Sequence, residues 1–416
     1  MARAILFAAI AYAAGAAVMT SCNQRQVTFG QAPASWRFEM QEIDRSLKVG
    51  YAVLLADVNN DRRADIVVVD THRVIWFENP HWKMHYILKG ETKPDNVCLA
   101  AHDIDGDGRL DFALGAGWRP FDTRSEGTLQ WLRQTDSPYK PFELYPIDAE
   151  PSIHRIRFGD VLGEGKPQLI SVPLMGRQAT REKNWLDAAV RITAYRIPAD
   201  PRRDRWLPQL LNASLHVAHN FDLADVDRDS RLDVLVASYE GVTLLRAQSP
   251  GTWKSSLLGV GNQENPLSNR GASEVKIGKL KNDQQFIATV EPWHGHQVVI
   301  YTPSDKTYEK PWQRRVIDEE LRWGHAVWCA DLDGDGTDEV ILGVRDRLND
   351  KVGPGVRIYQ CLDDVGQRWH RTVIEEGGVA CEDLAVGDLD GDKRPDIVAV
   401  GRFTGNVRIY WNRMTR

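Results

Sequence analysis

Short apolar runs separated by polar turns recur along the whole chain. The β-branched runs Ile66–Val69 and Ile397–Val400 are typical of strands, and no helical period of apolar residues competes over any long window. Each repeat also contains a strand in which apolar and polar residues alternate. These strands are Val74–Glu78, Leu129–Leu132, Arg191–Tyr195, Val242–Leu245, Val298–Tyr301, Val356–Tyr359 and Val407–Trp411.

A second marker confirms the repeat count, because an aromatic residue opens a further amphipathic run in each repeat. These residues are Trp36, Trp82, Phe142, Trp206, Trp253, Trp312 and Trp369. Seven repeats of roughly 50 residues, each with four short strands, predict an all-β fold that is a seven-bladed β-propeller. The last repeat ends with its third strand, Val407–Asn412, and has no outer strand, so we expect the N-terminal strand Trp36–Ile43 to supply one and close the ring.

A nine-residue acidic pattern precedes most of the apolar runs. Alternating oxygen ligands in a turn suit Ca²⁺, and an EF-hand is excluded because the fourth acid stands at position nine and a strand follows. We therefore predict about five structural Ca²⁺ sites, with two degenerate copies at Asp160–Gly165 and Lys279–Asp283. The predicted ligands are Asp57, Asn59, Asp61 and Asp65; Asp103, Asp105, Asp107 and Asp111; Asp225, Asp227, Asp229 and Asp233; Asp331, Asp333, Asp335 and Glu339 (or Asp338); and Asp388, Asp390, Asp392 and Asp396.

The first residues have the pattern of an export signal. The apolar run Ile5–Val18 is short for a membrane span and is followed by small residues before Cys22. Residues 1–22 are therefore predicted to be a signal peptide of lipoprotein type, 23–35 a polar tether and 36–416 the propeller. The domain would be exported to the cell envelope, in the periplasm or at the cell surface, and would touch a membrane only through a lipid on Cys22; plain secretion or an uncleaved anchor is the alternative.

Charge and cysteine content narrow the classes of partner. The formal net charge is −6, but many carboxylates fall in the acidic loops. No basic run with interleaved aromatic residues is present, so a nucleic-acid partner is not expected. Cys98, Cys329, Cys361 and Cys381 lack metal-type spacing, and the sequence does not argue for a disulfide. It also leaves the oligomeric state undetermined.

The start of each inner strand offers candidate chemistry. Counting six residues back from each acidic loop selects equivalent positions that would point into a shared axial funnel. They are Tyr51, Val97, His154, His219, Ser273, His325 and Glu382. Loops on the same face add Arg177, Trp293 and His294. Imidazole, guanidinium, carboxylate and aromatic groups around a concavity fit a small-molecule or oligosaccharide ligand.

These residues allow two chemistries. Three histidines with a carboxylate can bind Zn²⁺ or a similar ion, and metal-free acid–base catalysis is the alternative. Either would serve a β-elimination, and axial histidines can also simply line the tunnel. The predicted acid–base or metal-binding set is His154, His219, His294 and His325, with Arg155, Arg177, Trp293 and Glu382 as substrate-binding or orienting residues.

Motifs such as Ala330–Gly336 resemble those of FG-GAP/VCBS propellers. A narrower resemblance is to the propeller domain of the fungal aldos-2-ulose dehydratases. The segments that carry it are Ile153–Arg155, Ile170–Leu174, His216–His219, Trp293–Gly295 and His325–Asp331. This resemblance implies a carbon–oxygen lyase that eliminates water from a keto or oxidised sugar. The fungal enzymes continue into cupin domains, so only the elimination step is implied.

A non-catalytic surface lipoprotein that binds glycans or a protein is the main alternative to this lyase function, and an inert assembly scaffold is the third hypothesis.

Overall fold

Seven four-stranded antiparallel sheets make up the structure, a computed structural model that describes residues 33–125, 127–249, 251–265, 267–305, 308, 310–347 and 353–414. Among the described residues, the only helical element is the 3₁₀ turn Arg181–Lys183. The prediction of an all-β, seven-bladed propeller is confirmed. No described helix is long and apolar enough to cross a membrane. The predicted signal peptide, Cys22 and most of the tether lie outside the described residues.

The strands of each blade follow one another in space from the axis outward. Blade 1 contains β2 (Ala52–Ala56), β3 (Asp65–Asp70), β4 (Arg73–Glu78) and β5 (Lys83–Lys89); blade 2 contains β6 (Cys98–His102), β7 (Asp111–Ala116), β8 (Thr128–Arg133) and β9 (Glu143–Asp148); blade 3 contains β10 (Arg155–Gly159), β11 (Gln168–Val172), β12 (Val190–Arg196) and β13 (Leu207–Leu215); blade 4 contains β14 (Asn220–Ala224), β15 (Asp233–Ser238), β16 (Gly241–Ser249) and β17 (Thr252–Gly259). Blade 5 contains β18 (Glu274–Lys279), β19 (Gln285–Glu291), β20 (Gln297–Thr302) and β21 (Gln313–Asp318); blade 6 contains β22 (Gly324–Ala330), β23 (Glu339–Val344), β24 (Gly355–Cys361) and β25 (Trp369–Glu376); blade 7 contains β26 (Cys381–Gly387), β27 (Asp396–Gly401), β28 (Val407–Asn412) and β1 (Phe38–Asp44).

The hydrophobic core lies between neighbouring blades. The second strand of a blade is covered on both faces, and β3 and β27 are buried along their whole length. Their side chains meet across the blade boundary, where Ile66 and Val68 share a cluster with Val398 and Val400. This double burial explains why the second strands read as continuous apolar runs. The outer strands are more exposed, and in β1 no residue is fully buried.

The first strand of the chain completes the last blade. β1 pairs antiparallel with β28, with Phe38 opposite Asn412. Across this junction Arg408 Nε donates to Glu42 at 2.9 Å, and Arg408 Nη1 donates to Glu375 of blade 6 at 2.7 Å. The ring is thus joined by a strand pair and by a charged network that also reaches the neighbouring blade.

The closing network predicts a pH-dependent contribution to stability. Hydrogen bonds from Arg45, Asn406 and Arg408 lower the pKa of Glu42 from 4.5 to about 2. A carboxyl with a lowered pKa stabilises the fold above its unfolded pKa, and this stabilisation is lost as the pH falls toward 2. We expect Glu42→Gln to lower the unfolding free energy at pH 7 by roughly 1 kcal/mol, since the group is partly exposed.

Thermal unfolding at pH 7 and pH 3 measures this effect. The difference between wild type and Glu42→Gln should shrink at the lower pH. The control is Glu39→Gln on the same strand, whose carboxylate is largely exposed and lies 3.7 Å from Arg413. Equal losses in both variants would contradict the proposed role of Glu42.

Candidate functional site

A cavity of about 910 Å³ opens at the end of the propeller axis that lies opposite the acidic loops. The structure places six of the seven equivalent inner-strand positions around it, whereas Ser273 is not among the lining residues. The six are Tyr51, Val97, His154, His219, His325 and Glu382. The cavity also takes in Arg155, Trp293 and His294. The axial site is therefore built from one inner-strand position in each of six blades plus the adjoining loops.

The backbone holds these positions in two ways. In blades 1 and 4 the residue just before the inner strand donates its N–H to the second strand, Tyr51 to Val69 at 2.9 Å and His219 to Ala237 at 3.0 Å. In blades 6 and 7 the inner strand starts earlier, and the pairing register shifts at His325 and at Glu382. A β-bulge of this kind re-aims a side chain, so both residues still face the axis.

The imidazoles of four histidines pack against one another. His294 Nε2 lies 2.8 Å from His219 Nε2, and the ring centroids of His154 and His219 are 4.7 Å apart. His219, His294 and His325 each place one ring nitrogen within 4.8 Å of the others. His219 is only 1% exposed. The cluster is therefore largely removed from bulk water.

Oxygen atoms around the cluster fix the orientation of three of the rings. His154 Nδ1 donates to the carbonyl of His219 at 2.8 Å, and His325 Nδ1 donates to the carbonyl of Glu382 at 2.6 Å. His219 Nδ1 lies 2.7 Å from Oε1 of Glu274. With the proton on Nδ1, the lone pairs of His154 and His325 reside on Nε2, and that of His154 accepts from Arg155. The short contact between His219 and His294 needs a proton on one of its two Nε2 atoms.

Burial keeps these histidines neutral. It lowers the pKa of His154, His294 and His325 well below 6.5, and the neighbouring charges of Arg155, His219 and Arg345 respectively act in the same direction. Burial also lowers the pKa of His219, but the Glu274 carboxylate opposes the shift. Neutral imidazoles can accept a proton or coordinate a metal. His219 is the ring whose protonated form has a carboxylate beside it.

Two guanidinium groups hold the carboxylate of Glu382. Arg402 Nη1 donates to its Oε1 at 2.5 Å and Arg345 Nη1 to its Oε2 at 3.2 Å. His325 Nε2 lies 3.8 Å from Oε1 of the same carboxylate. Arg155 donates to His154 instead, at 3.2 Å to the ring and 3.1 Å to the carbonyl. The site therefore has one carboxylate paired with two guanidinium groups on one side and a further cationic group, Arg155, beside His154.

Aromatic rings hold His294 from both faces. Its ring stacks on Trp293 at 4.4 Å and on Trp323 at 5.2 Å between centroids. His294 and Trp323 have positive φ angles of 50° and 57°. Non-glycine residues adopt this conformation at a cost, and such strain concentrates at functional sites.

The sequence did not select every member of the site correctly. Arg177 is not among the residues that line the cavity; its Nη2 lies 3.6 Å from Glu150. Glu274 was missed because it stands one residue after the counted position Ser273. Its other oxygen accepts from Asn220 Nδ2 at 2.5 Å. Trp118, whose ring lies 4.8 Å from that of His154, was missed because it belongs to an irregular loop.

Carboxylates of the acidic loops gather on the opposite face. Four loops bring three carboxylates within 4.8 Å of one another, at Asp103/Asp105/Asp111, Asp225/Asp227/Asp229, Asp331/Asp333/Glu339 and Asp388/Asp390/Asp396. In the blade 1 loop, Asp57 accepts from the N–H of Asp61 at 2.9 Å. In blade 6, Asp338 turns away and accepts the N–H of Lys279 at 2.8 Å.

The acid at the ninth position of each loop is also buried and accepts backbone hydrogen bonds, an arrangement that we call a bracket. Asp65 accepts the N–H of Val58 at 3.0 Å and the N–H of Asn79 at 2.9 Å, which ties the loop to the end of β4. Burial raises the pKa of Asp65 to about 6 and that of Asp111 to about 7. Such carboxylates favour added positive charge, which a divalent cation in the loop would supply.

Arginines already supply part of that charge. In three blades an arginine at the end of the third strand contacts the third-position carboxylate. Arg133 reaches Asp105 at 2.6 Å, Arg246 reaches Asp227 at 3.0 Å and Arg413 reaches Asp390 at 2.7 Å. A bound cation would share these oxygens with a guanidinium group. The loops are therefore not equivalent as candidate Ca²⁺ sites.

The comparisons with known proteins agree with this fold. The family model for the aldos-2-ulose dehydratase β-propeller domain matches residues 126–304, and that for the FG-GAP-like repeat matches residues 57–114. The predicted resemblance to both is confirmed. The first match contains His154, His219 and His294, whereas His325 and Glu382 lie beyond it.

A curated relative extends the similarity. Aldos-2-ulose dehydratase of Phanerodontia chrysosporium is 24% identical over 266 residues, which cover 60% of this chain and 29% of the relative. The chain thus matches less than a third of that protein's length.

Solved structures show the fold alone. BBS1N, from its crystal structure in complex with ARL6DN, is 11% identical with a TM-score of 0.55 and coverage of 92% of this chain and 98% of that one. The extracellular domain of the putative one component system BT4673 from B. thetaiotaomicron is 11% identical with a TM-score of 0.53, covering 91% and 40% respectively.

Burial of neutral histidines predicts that acidification destabilises the protein. As the pH falls, a histidine with a lowered folded-state pKa is protonated in the unfolded chain before it is protonated in the folded protein. The folded protein therefore loses stability as the pH drops below 6.5. Each such histidine should contribute roughly 1 kcal/mol of loss between pH 7 and 5.5. We expect His154→Asn to reduce this slope in denaturant unfolding with a chelator present. His370→Asn, exposed on β25, is the control; an unchanged slope in His154→Asn would contradict the assignment.

The acidic loops predict a stability that depends on Ca²⁺. A ligand at 100 times its Kd stabilises the fold by about 2.7 kcal/mol for each site. We expect the Tm to be higher in Ca²⁺ than in chelator, and Asp396→Asn to reduce the difference. Asp283→Asn, in a degenerate loop, should leave the difference unchanged. Identical melting in Ca²⁺ and chelator would refute the calcium assignment.

Proposed function

We propose that the protein is a carbon–oxygen lyase that acts on a keto or otherwise oxidised sugar in the axial cavity. The observation that carries the proposal is the buried cluster of neutral imidazoles, with one ring nitrogen each of His219, His294 and His325 within 4.8 Å of the others. The similarity to the propeller domain of aldos-2-ulose dehydratase supports the sugar-related lyase chemistry.

The elimination needs one proton acceptor and one proton donor. A base takes the proton from the carbon beside the carbonyl, the carbon–oxygen bond at the next carbon breaks, and the leaving oxygen keeps the electron pair and is protonated. His219 is the favoured base, because Glu274 at 2.7 Å stabilises the imidazolium that forms. Cationic Arg155 and Arg402 face the same cavity and can stabilise the enolate oxygen.

The same residues fit a divalent metal. The nitrogen set of His219, His294 and His325 suits Zn²⁺ or a similar ion, and the Nδ1 atoms of His219 and His325 have the oxygen partners typical of metal-binding histidines. When bound, such an ion would polarise the sugar carbonyl. Glu382 and Arg155 would keep their roles in orienting the substrate.

Export and calcium complete the proposal. The apolar run Ile5–Val18 before Cys22 supports export to the cell envelope with a lipid anchor. The clustered loop carboxylates support structural Ca²⁺. These features stabilise or locate the domain and take no part in the elimination.

A second function is a glycan-binding module without catalysis. It is favoured by the aromatic residues around the cavity, since Trp118, Trp293 and Trp323 all line it. Aromatic rings bury large apolar area and suit sugar faces. This alternative predicts binding but no turnover.

Turnover by a double variant tests the lyase proposal. Purified protein is incubated with keto and anhydro sugars, and ultraviolet absorbance reports a conjugated enone. We expect a signal from the wild type and a loss of at least about 100-fold in His219→Ala/His325→Ala, the usual contribution of general acid–base groups. His370→Ala, on the outer strand β25, is the matched control. A flat trace from folded wild type would favour the binding module.

A further inference from the structure

We propose that the natural substrate is a glycoside of the oxidised sugar, with the keto ring at the histidine cluster and a second ring stacked on Phe121. This inference rests on the proposed function and deepens it by naming the substrate class. Its carrying observation is an exposed aromatic platform, Phe121 with Trp185, in the wall of the histidine-lined cavity.

The size of the cavity favours a substrate larger than one sugar. Its volume of about 910 Å³ lies near the upper end of the range of roughly 300–1,000 Å³ that is usual for pockets of drug-sized ligands. A single hexose at the imidazoles would leave most of this space to water. A second ring would occupy part of this remaining space.

The platform has the chemistry of a sugar subsite. Phe121 is 53% exposed, and its ring stacks on Trp185, which is 8% exposed, at 5.8 Å between centroids and 18° between planes. The guanidinium of Arg181 lies 5.1 Å from the centre of the Phe121 ring. A flat aromatic face with a nearby hydrogen-bond donor suits a pyranose ring, whose faces are apolar and whose edge carries hydroxyls.

Hydrogen bonds hold the platform in place. Thr123 Oγ1 donates to the carbonyl of Ala179 at 2.8 Å, which joins the blade 2 loop of Phe121 to the blade 3 loop of Trp185. Thr180 Oγ1 donates to Asp187 at 2.6 Å, and the N–H of Trp185 donates to Thr180 at 2.8 Å. The platform is therefore preorganised, which lowers the cost of binding.

The platform lies within reach of the histidines along one loop. Trp118 contacts His154 at 4.8 Å between ring centroids, and Phe121 follows three residues later. Three residues span at most about 11 Å. Isolated exposed apolar side chains are common on proteins. Phe121 differs because it faces the same cavity as the catalytic candidates and rests on a buried partner.

A matched substrate pair tests the proposal. The two probes are a methyl keto-glucoside and the same keto-glucoside with a glucosyl group in place of the methyl. We expect wild type to have the lower KM for the glucosyl compound. Phe121→Ala should raise that KM about fivefold, the usual size of an aromatic contact, and leave the KM of the methyl compound unchanged.

Two further variants serve as controls. Phe121→Trp should keep the low KM, because it preserves the aromatic face. Tyr139→Ala removes an aromatic ring that is 54% exposed and does not line the cavity, and it should change neither KM. Equal effects of Phe121→Ala on both probes, or no effect on either, would overturn the proposal.

Calorimetric binding separates this inference from the lyase proposal. If neither probe is turned over, both are titrated into wild type and Phe121→Ala. Weaker binding of the glucosyl probe alone in the variant would support the platform while the lyase proposal fails. Unchanged binding, or no binding, would overturn the platform as well.

Discussion

The closed ring forces the start of every inner strand toward one axis, and the rest of the structure depends on this constraint. Side chains at these positions are removed from solvent, so an ionisable group there must either be neutral or form an ion pair or hydrogen bond. His154 and His325 stay neutral and donate to backbone carbonyls, while the Glu382 carboxyl accepts hydrogen bonds from Arg345 and Arg402. The chemistry of the site follows from this division between neutral and paired groups.

The two faces of the ring carry different groups, with the acidic loops on one face and the histidine cluster on the other. On one face, buried acids such as Asp65 and Asp111 bracket a loop to the end of the third strand. In the degenerate blade 3 loop the amide oxygen of Gln168 accepts the N–H groups of Val161 and Leu162 at 3.0 Å. The hydrogen bonding within the loop therefore survives loss of the acidic pattern.

The fold was predictable because its signals repeat, so each blade tests the same interpretation again. The axial register was predictable for the same reason, even though the structure reaches it through bulges at His325 and Glu382. The positions of the loop residues could not be predicted from the sequence. Arg177 and Phe121 belong to irregular segments whose path follows from hydrogen bonds between loops, which no sequence period encodes. Glu274 lay one residue from a counted position, where alternation along the strand obscured it.

Nitrogen-15 spectra of the histidine side chains, recorded at pH 7 during titration with a keto sugar, would show whether the axial histidines are neutral and whether they contact the sugar. We expect His154 and His325 to be neutral with the proton on Nδ1, and the sugar to shift the axial histidine signals but not that of His370. Axial rings that are protonated at pH 7, or a sugar that leaves their signals unchanged, would contradict both the neutral state of the cluster and its role in binding.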